Sequence, residues 1–230
     1  MAELNKEKQE KQAPIHFTFY DSDRLSVGDN LRKNFGYAAL SRIYHEFGIH
    51  TFLTNRQRHS KGQYDAKTIM KLLVYSRLLF PASKKSSYEN RERFFEKTDY
   101  SLDDVYRCLS FLDKHRENLQ IWLNDRIRET YGRDTSLIYY DVTNYYFETD
   151  EQNDFLRKGL SKEHRPNPII QMGLFMDNQG LPITYELFPG NTNDCLTYRP
   201  NFGRIKKQFG LGRVISVADK GMTTGDNIWY

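Results

Sequence analysis

From Ser136 to Phe147 the chain reads Ser-Leu-Ile-Tyr-Tyr-Asp-Val-Thr-Asn-Tyr-Tyr-Phe. The stretch is dense in β-branched and aromatic side chains and free of Gly and Pro, which predicts a long strand. Pro168 to Asp177 is again apolar, Asn178-Gln179-Gly180 supplies a turn, and Leu181 to Phe188 predicts the other arm of a hairpin. Tyr198 to Phe209 has helical spacing, with Phe202, Ile205 and Phe209 on one face and Arg204, Lys206 and Lys207 on the other. Gly210 and Gly212 mark its end. Arg213 to Ala218, bounded by Gly212 and by Asp219-Lys220-Gly221, predicts a short buried strand that ends on a carboxylate. Three antiparallel strands, a helix and a further strand follow one another. With a right-handed crossover, the last strand can lie parallel beside the first. That pairing would unite Asp141 and Asp219, which are 78 positions apart in sequence.

The preceding region has helical periodicity. Ile69, Leu72, Leu73, Ser76 and Phe80 predict a helix over Asp65 to Leu79, stopped by Pro81. Ser86-Ser-Tyr-Glu89 has capping-box spacing and predicts a second helix reaching about Lys97. Ser101-Leu-Asp-Asp104 has the same spacing, with Asp in place of the more favourable Glu. It opens one helix or two, with a break between Asp113 and Glu117 as the alternative. Residues 1–14 are polar and charged and predict a disordered lead. The organisation expected is thus a lead over 1–14, a helical region over 15–133, and a mixed α/β region over 134–230.

Mean hydropathy is −0.76, and no apolar run nears the roughly 20 residues of a membrane span. The N-terminus lacks the apolar core of an export signal. Cys108 and Cys195 have neither metal-ligand spacing nor a disulfide framework, so a reducing cytoplasm is expected.

The net charge of +4 is unevenly spread. Arg56 to Lys97 holds eleven Lys or Arg against four Asp or Glu, a net +7, whereas residues 98–155 hold six against thirteen, a net −7. Such asymmetry fits a nucleic-acid surface as well as a solvated basic face. Short helices carrying Lys84, Lys85, Arg91 and Arg93 fit a helix-turn-helix module, and equally a plain bundle. Lys162, His164 and Arg165 lie in the polar connection 148–167, from which they could reach phosphates.

Two carboxylates on neighbouring strands suit a hard divalent cation, which takes oxygen ligands from carboxylates, water and phosphates. A pair of such ions can serve both oxygens of a phosphoryl transfer. Paired acids also serve glycoside hydrolysis, but the basic block favours a polyanionic substrate.

A series of short motifs carries a resemblance. Tyr140-Asp-Val-Thr143 with Tyr146-Phe-Glu148, Gly159-Leu-Ser-Lys-Glu-His-Arg-Pro166, Gly180-Leu-Pro182 with Phe188-Pro-Gly-Asn-Thr192, and Val217-Ala-Asp-Lys-Gly-Met222 stand in order. Together they resemble the motifs of bacterial insertion-sequence transposases, specifically the DDE branch of the insertion-sequence-four superfamily. The likeness spans about residues 136–225 and lies in the series, since each piece alone is weak. It implies an α+β, RNase H-like mixed sheet preceded by an all-helical N-terminal region. It also implies two Mg²⁺ or Mn²⁺ ions, with Asp141 as the first catalytic and metal-binding acid and Asp219 as the second. The implied partners are DNA, both element terminal inverted repeats and target, and a second copy of the chain as a homodimer on that DNA. The implied reactions are nicking at element ends and attack of the freed 3′-hydroxyl on target.

The family takes its third acid, a Glu, from a helix well beyond the second Asp. Glu148 lies seven positions from Asp141, an odd separation that points it to the opposite face of a regular strand. Glu186 and Asp226 belong to other elements. The expectation is therefore a C-terminally truncated chain with an incomplete sheet and an incomplete catalytic site. Two alternatives stand beside it: a non-catalytic DNA-binding fragment that competes with the full-length protein, and an RNase H-fold nuclease without transposition.

Overall fold

The computed structural model describes residues 33–58, 60, 62–159, 166–211, 215–219, 222 and 224–225. Residues 1–14 and the segment containing Lys162, His164 and Arg165 lie outside the described residues.

Among the described residues, six α-helices precede the sheet: α1 (Tyr37–Glu46), α2 (Ile49–Gln57), α3 (Ala66–Leu79), α4 (Lys84–Glu89), α5 (Leu102–Lys114) and α6 (Arg116–Tyr131). Asp65 starts α3 by accepting the Lys67 N–H at 3.0 Å, and the helix ends at Phe80, before Pro81. The capping box at Ser101 is complete. Its hydroxyl accepts the Asp104 N–H at 3.1 Å, and the Asp104 carboxylate accepts the Ser101 N–H at 2.9 Å. The periodic stretch that follows is two helices, broken at His115.

The second helix departs from expectation. Ser83, not Ser86, is the cap, and α4 ends at Glu89 instead of running to Lys97. The Asn90 side-chain amide turns back onto the Ser86 carbonyl, which closes the helix, and Arg91–Arg93 continues as a 3₁₀ turn. Phe94, 4% exposed, then enters the core. Helices α1 and α2 had no sharp sequence signal. The chain reverses between them at Gly48, whose φ of +62° is accessible to Gly without strain.

The sheet order is β3-β2-β1-β4, with β1 (Leu137–Tyr146), β2 (Ile169–Met176), β3 (Pro182–Pro189) and β4 (Ile215–Ala218). The β1–β2 and β2–β3 pairs are antiparallel, and β1–β4 is parallel. Helix α7 (Cys195–Gln208) makes the crossover between β3 and β4. It starts three residues earlier than its periodicity predicts, because the Asn193 side chain accepts the Cys195 N–H. The result is a mixed α+β architecture with a four-stranded mixed sheet.

Two apolar clusters hold the chain together. The first joins α2, α3 and α5 through Leu53, Ile69, Tyr75, Val105 and Cys108. The second packs Ile138, Tyr140, Val142 and Phe175 of the sheet against Ile205 and Phe209 at the end of α7. Burying each such aliphatic or aromatic side chain is worth about 1.5–3 kcal/mol. Helix α6 ties the clusters together. Trp122 donates its indole N–H to the Phe47 carbonyl at 2.8 Å, while Arg116 pairs with Glu186 of β3 at 3.8 Å. Among the described residues, no helix is long and apolar enough to cross a membrane.

Candidate functional site

Burial alternates along β1. Ile138, Tyr140 and Val142 are buried on the face that α7 covers, and Tyr139 and Asp141 are exposed on the other. The strand period of two makes this a property of sequence: three apolar positions, two residues apart, fix which face Asp141 must take. In β4, Ile215 and Val217 are exposed and Ser216 and Ala218 half-buried. The parallel pairing runs from Leu137 with Ile215 to Tyr140 with Ala218. One step further along both strands stand Asp141 and Asp219, on the same exposed face. An exposed carboxylate avoids the cost of burying an unpaired charge, so Asp141 in mid-strand is no anomaly.

Both acids line a cleft of about 500 Å³ past the end of β4. Its other walls come from Val142, Gln171, the turn Asn191-Thr192-Asn193-Asp194, Gly159 and Met222. The Met222 N–H donates to the Asp219 carbonyl at 2.9 Å, so the chain turns directly after the second acid. Gly159 reaches the cleft because its segment is strapped to the sheet. Arg157 and Ile169 exchange backbone hydrogen bonds of 3.2 and 2.8 Å, and the Gly190 N–H donates to Phe155 at 3.1 Å. A Cβ on Gly159 would stand 1.9 Å from the Gly190 carbonyl oxygen, so no other residue fits that approach.

Three carboxylates, Asp141, Asp194 and Asp219, line the cleft, and no Lys, Arg or His does so among the described residues. Asp194 was not singled out by the sequence. At the start of a helix an Asp reads as a cap, yet its side chain makes no capping bond. It instead accepts the Gln171 amide N–H at 3.1 Å. Gln171 also escaped notice, as a polar residue in an apolar strand. The only sequence signal was that oddity itself: Gln171 is 2% exposed.

The donor set fits a hard divalent cation. Asp141 and Asp219 supply anionic oxygens from adjacent strand positions at the cleft, where the Met222 thioether is the one soft group among the described lining residues. Among the described residues, no group of three or more His, Cys, Asp or Glu is clustered tightly enough to hold a metal. Glu186 is engaged elsewhere, bridging Arg116 of α6 and Arg204 of α7, and Glu148 lies exposed beyond the end of β1.

Of the basic candidates, the described ones, Lys84, Lys85, Arg91 and Arg93, do not line this cleft. Lys84 and Lys85 are exposed on α4, Lys85 within 4.0 Å of Glu89. Arg91 and Arg93 are half-buried and pack on aromatic rings, with guanidinium carbons 4.2 Å from the Tyr88 and 5.0 Å from the Phe80 centroid. Arg91 also donates to the Tyr88 carbonyl at 3.1 Å. The two lysines are thus available to a ligand, and the two arginines are partly committed to the fold.

The chain matches no protein-family model and no curated protein. Among solved structures it is similar to complexes of the Mos1 transposase. The paired-end complex with left transposon end aligns at 16% identity and a TM-score of 0.28, covering 73% of this chain and 56% of that one. The strand transfer complex aligns at 16% identity and 0.29, covering 99% and 68%. The mariner paired-end complex with Mg aligns at 15% identity and 0.27, covering 86% and 74%. This chain thus spans a little over half the length of the first of these. Similarity at this level assigns neither family nor activity.

Proposed function

We propose that this chain belongs to the DDE transposases of insertion sequences, with an RNase H-like catalytic core in which Asp141 and Asp219 are the catalytic, metal-binding acids. The observation that supports the reading most is the parallel register of β1 and β4, whose last pair, Tyr140 with Ala218, stands one step before both acids. Of the Mos1 complexes named above, one is a complex with left transposon end and another a complex with Mg. DNA and Mg²⁺ or Mn²⁺ are the ligands the reading gives this chain, on the chemistry of its own residues.

Each residue has a definable task. Asp141, on a strand paired on one side along its length, fixes one anionic oxygen pair against the cleft, and Asp219 supplies another from the neighbouring strand end. Both would hold divalent metal, which when bound activates an attacking oxygen and stabilises the leaving one in phosphoryl transfer. Divalent metal held there would offset carboxylate charge at the cleft and so favour the approach of a phosphodiester. Exposed Lys84 and Lys85 attract the polyanion from a separate surface, independent of the acids.

Calorimetric titration with Mn²⁺ tests the assignment: binding is expected for the native chain and lost in Asp141→Asn and Asp219→Asn. Undiminished binding in both variants would overturn it. In an end-cleavage assay with Mg²⁺ the 230-residue chain is expected to bind DNA without cutting, since among the described residues no third acid joins the pair. Nicking that Asp141→Asn abolishes would refute this incompleteness and leave the transposase reading intact. A second reading, a non-catalytic fragment that binds element ends in competition with the full-length protein, is favoured by the exposure of Lys84 and Lys85. It requires DNA affinity that survives Asp141→Asn and falls steeply with salt.

A further inference from the structure

The chain leaves β3 through Phe188-Pro-Gly-Asn-Thr192, and the turn Asn191-Thr192-Asn193 lines the same cleft as Asp141 and Asp219. The turn is pinned on both sides. The Gly190 N–H donates to the Phe155 carbonyl at 3.1 Å and the Thr192 N–H to the Pro189 carbonyl at 3.0 Å, while the Asn193 carbonyl accepts the Leu196 N–H at 2.9 Å. Asparagine is common in turns because its side chain bonds to nearby backbone. Asn193 follows that rule, since its Oδ1 accepts the Cys195 N–H at 3.2 Å. Asn191 does not. It is exposed at the cleft, and its side chain makes no hydrogen bond among the described residues.

The turn and the acids are complementary in chemistry. An ionised carboxylate only accepts hydrogen bonds, whereas the Nδ2 of an asparagine carries two N–H donors. With its Oδ1 engaged by the Cys195 N–H, Asn193 offers donors from its nitrogen. It therefore suits an acceptor-only ligand such as a phosphodiester oxygen. The adenine edge, which asparagine reads through its oxygen and nitrogen together, suits it less well. A phosphodiester with one non-bridging oxygen on a cation at the acid pair has a second such oxygen to satisfy. Among the described residues, no Lys, Arg or His lines the cleft to meet it. We propose that Asn191 and Asn193 donate hydrogen bonds to a non-bridging phosphate oxygen of DNA brought to the cleft by the cation. The inference rests on the cation reading above and adds a substrate contact to it: the acids hold the ion, and the turn orients the phosphate. Because the turn is already pinned by backbone bonds, little ordering accompanies binding.

Fluorescence anisotropy with two DNA duplexes of unrelated sequence, in Mg²⁺ and in EDTA, tests it. Mg²⁺ is expected to tighten binding by the native chain, and Asp141→Asn to remove that gain. Asn191→Ala and Asn193→Ser are each expected to weaken binding in Mg²⁺ by about 10-fold, the low end for a hydrogen bond to a charged group, and to leave binding in EDTA unchanged. Serine keeps an acceptor for the Cys195 N–H. Neither change alters charge, so the slope of log affinity against log salt should match that of the native chain. Full affinity of both variants in Mg²⁺, with the Asp141→Asn effect intact, would overturn the phosphate contact and leave the acid pair standing. Equal losses in EDTA would also overturn it, by placing the contact away from any cation-held phosphate. A loss confined to one duplex would make the amides base readers and overturn the phosphate assignment. If Mg²⁺ gives the native chain no gain, the acid-pair reading fails and the role of the turn with it. If Asn193→Ser lowers the melting temperature, Asn191→Ala, which breaks no side-chain bond among the described residues, decides alone.

Discussion

Replacing Asp177 is expected to be the most damaging single change outside the cleft. Asp177 and Arg133 form an ion pair in which both side chains are 1% exposed, with Arg133 Nε 3.3 Å from Asp177 Oδ2. The Nε–H is not aligned for a hydrogen bond, so this is charge pairing by proximity. The remaining guanidinium nitrogens are bonded, Nη1 to Asn124 Oδ1 at 2.8 Å and Nη2 to the Pro182 carbonyl at 2.9 Å. Asp177 Oδ1 accepts the N–H groups of Gln179 and Leu181 at 3.0 and 2.9 Å, which shapes the β2–β3 turn. Burial pulls the Arg133 pKa below its ordinary value, and Asp177 opposes that pull. Asp177→Ala strands a buried cation and two backbone donors, an expected loss of about 3–5 kcal/mol out of the roughly 5–15 kcal/mol typical of a whole fold. Asp177→Asn keeps an acceptor for the turn but not the charge, so most of the loss should persist. Urea unfolding followed by far-ultraviolet circular dichroism reads both. Combining Asp177→Asn with Arg133→Met removes both charges, and a double-mutant cycle should return a coupling of about 1–3 kcal/mol. A loss below about 1 kcal/mol for Asp177→Ala would refute the view that this buried pair is what fastens the hairpin to α6.

Gly173→Ala is expected to destabilise by about 1–3 kcal/mol, because its Cβ would stand 2.2 Å from Tyr140 Oη, which is fixed by a 2.8 Å bond to Thr197; an unchanged melting temperature would count against this packing. Changing Lys84 and Lys85 to Gln should lower the slope of log affinity against log salt by about 2, as measured by fluorescence anisotropy with duplex DNA, and an identical slope would dismiss those lysines as contacts. Desolvation pushes Tyr100 and Tyr140 up to about 12 from 10.0, and Cys108 up to about 12 from 9.0. The unfolded chain therefore releases these protons first, so stability is intact below pH 9 and falls as pH rises from 9 to 12. Melting temperatures taken across that range should decline steadily, and a flat profile would contradict the burial of these groups. Cys108 should accordingly resist iodoacetamide at pH 8 until urea is added, as mass spectrometry would record.

The strands were legible because period-two patterning over β1 and the Asn-Gln-Gly turn leave few alternatives, and their observed limits fall within one or two residues at every described end. The juxtaposition of Asp141 and Asp219 was legible too, since handedness leaves one economical place for a strand after α7. Caps were less so. Ser83, Ser86 and Ser101 all have plausible spacing, and which serine caps depends on where Pro81 and the buried Phe94 let the chain turn. The packing of Arg91 on Tyr88 and of Arg93 on Phe80 is announced by no linear pattern. Gln171 and Asp194 meet only through the fold, 23 positions apart.

The two acids are mounted unequally. Asp141 rides a ten-residue strand that pairs with β2 from Tyr139 to Tyr146, whereas Asp219 follows a strand of four residues at the sheet's edge. One jaw of the vice is anchored and the other is compliant. Backbone amides of Ile215–Ala218 should then exchange with deuterium well before those at the centre of β1. Closing on an ion would draw in the loose jaw, so loading should slow exchange in β4 far more than in its neighbour.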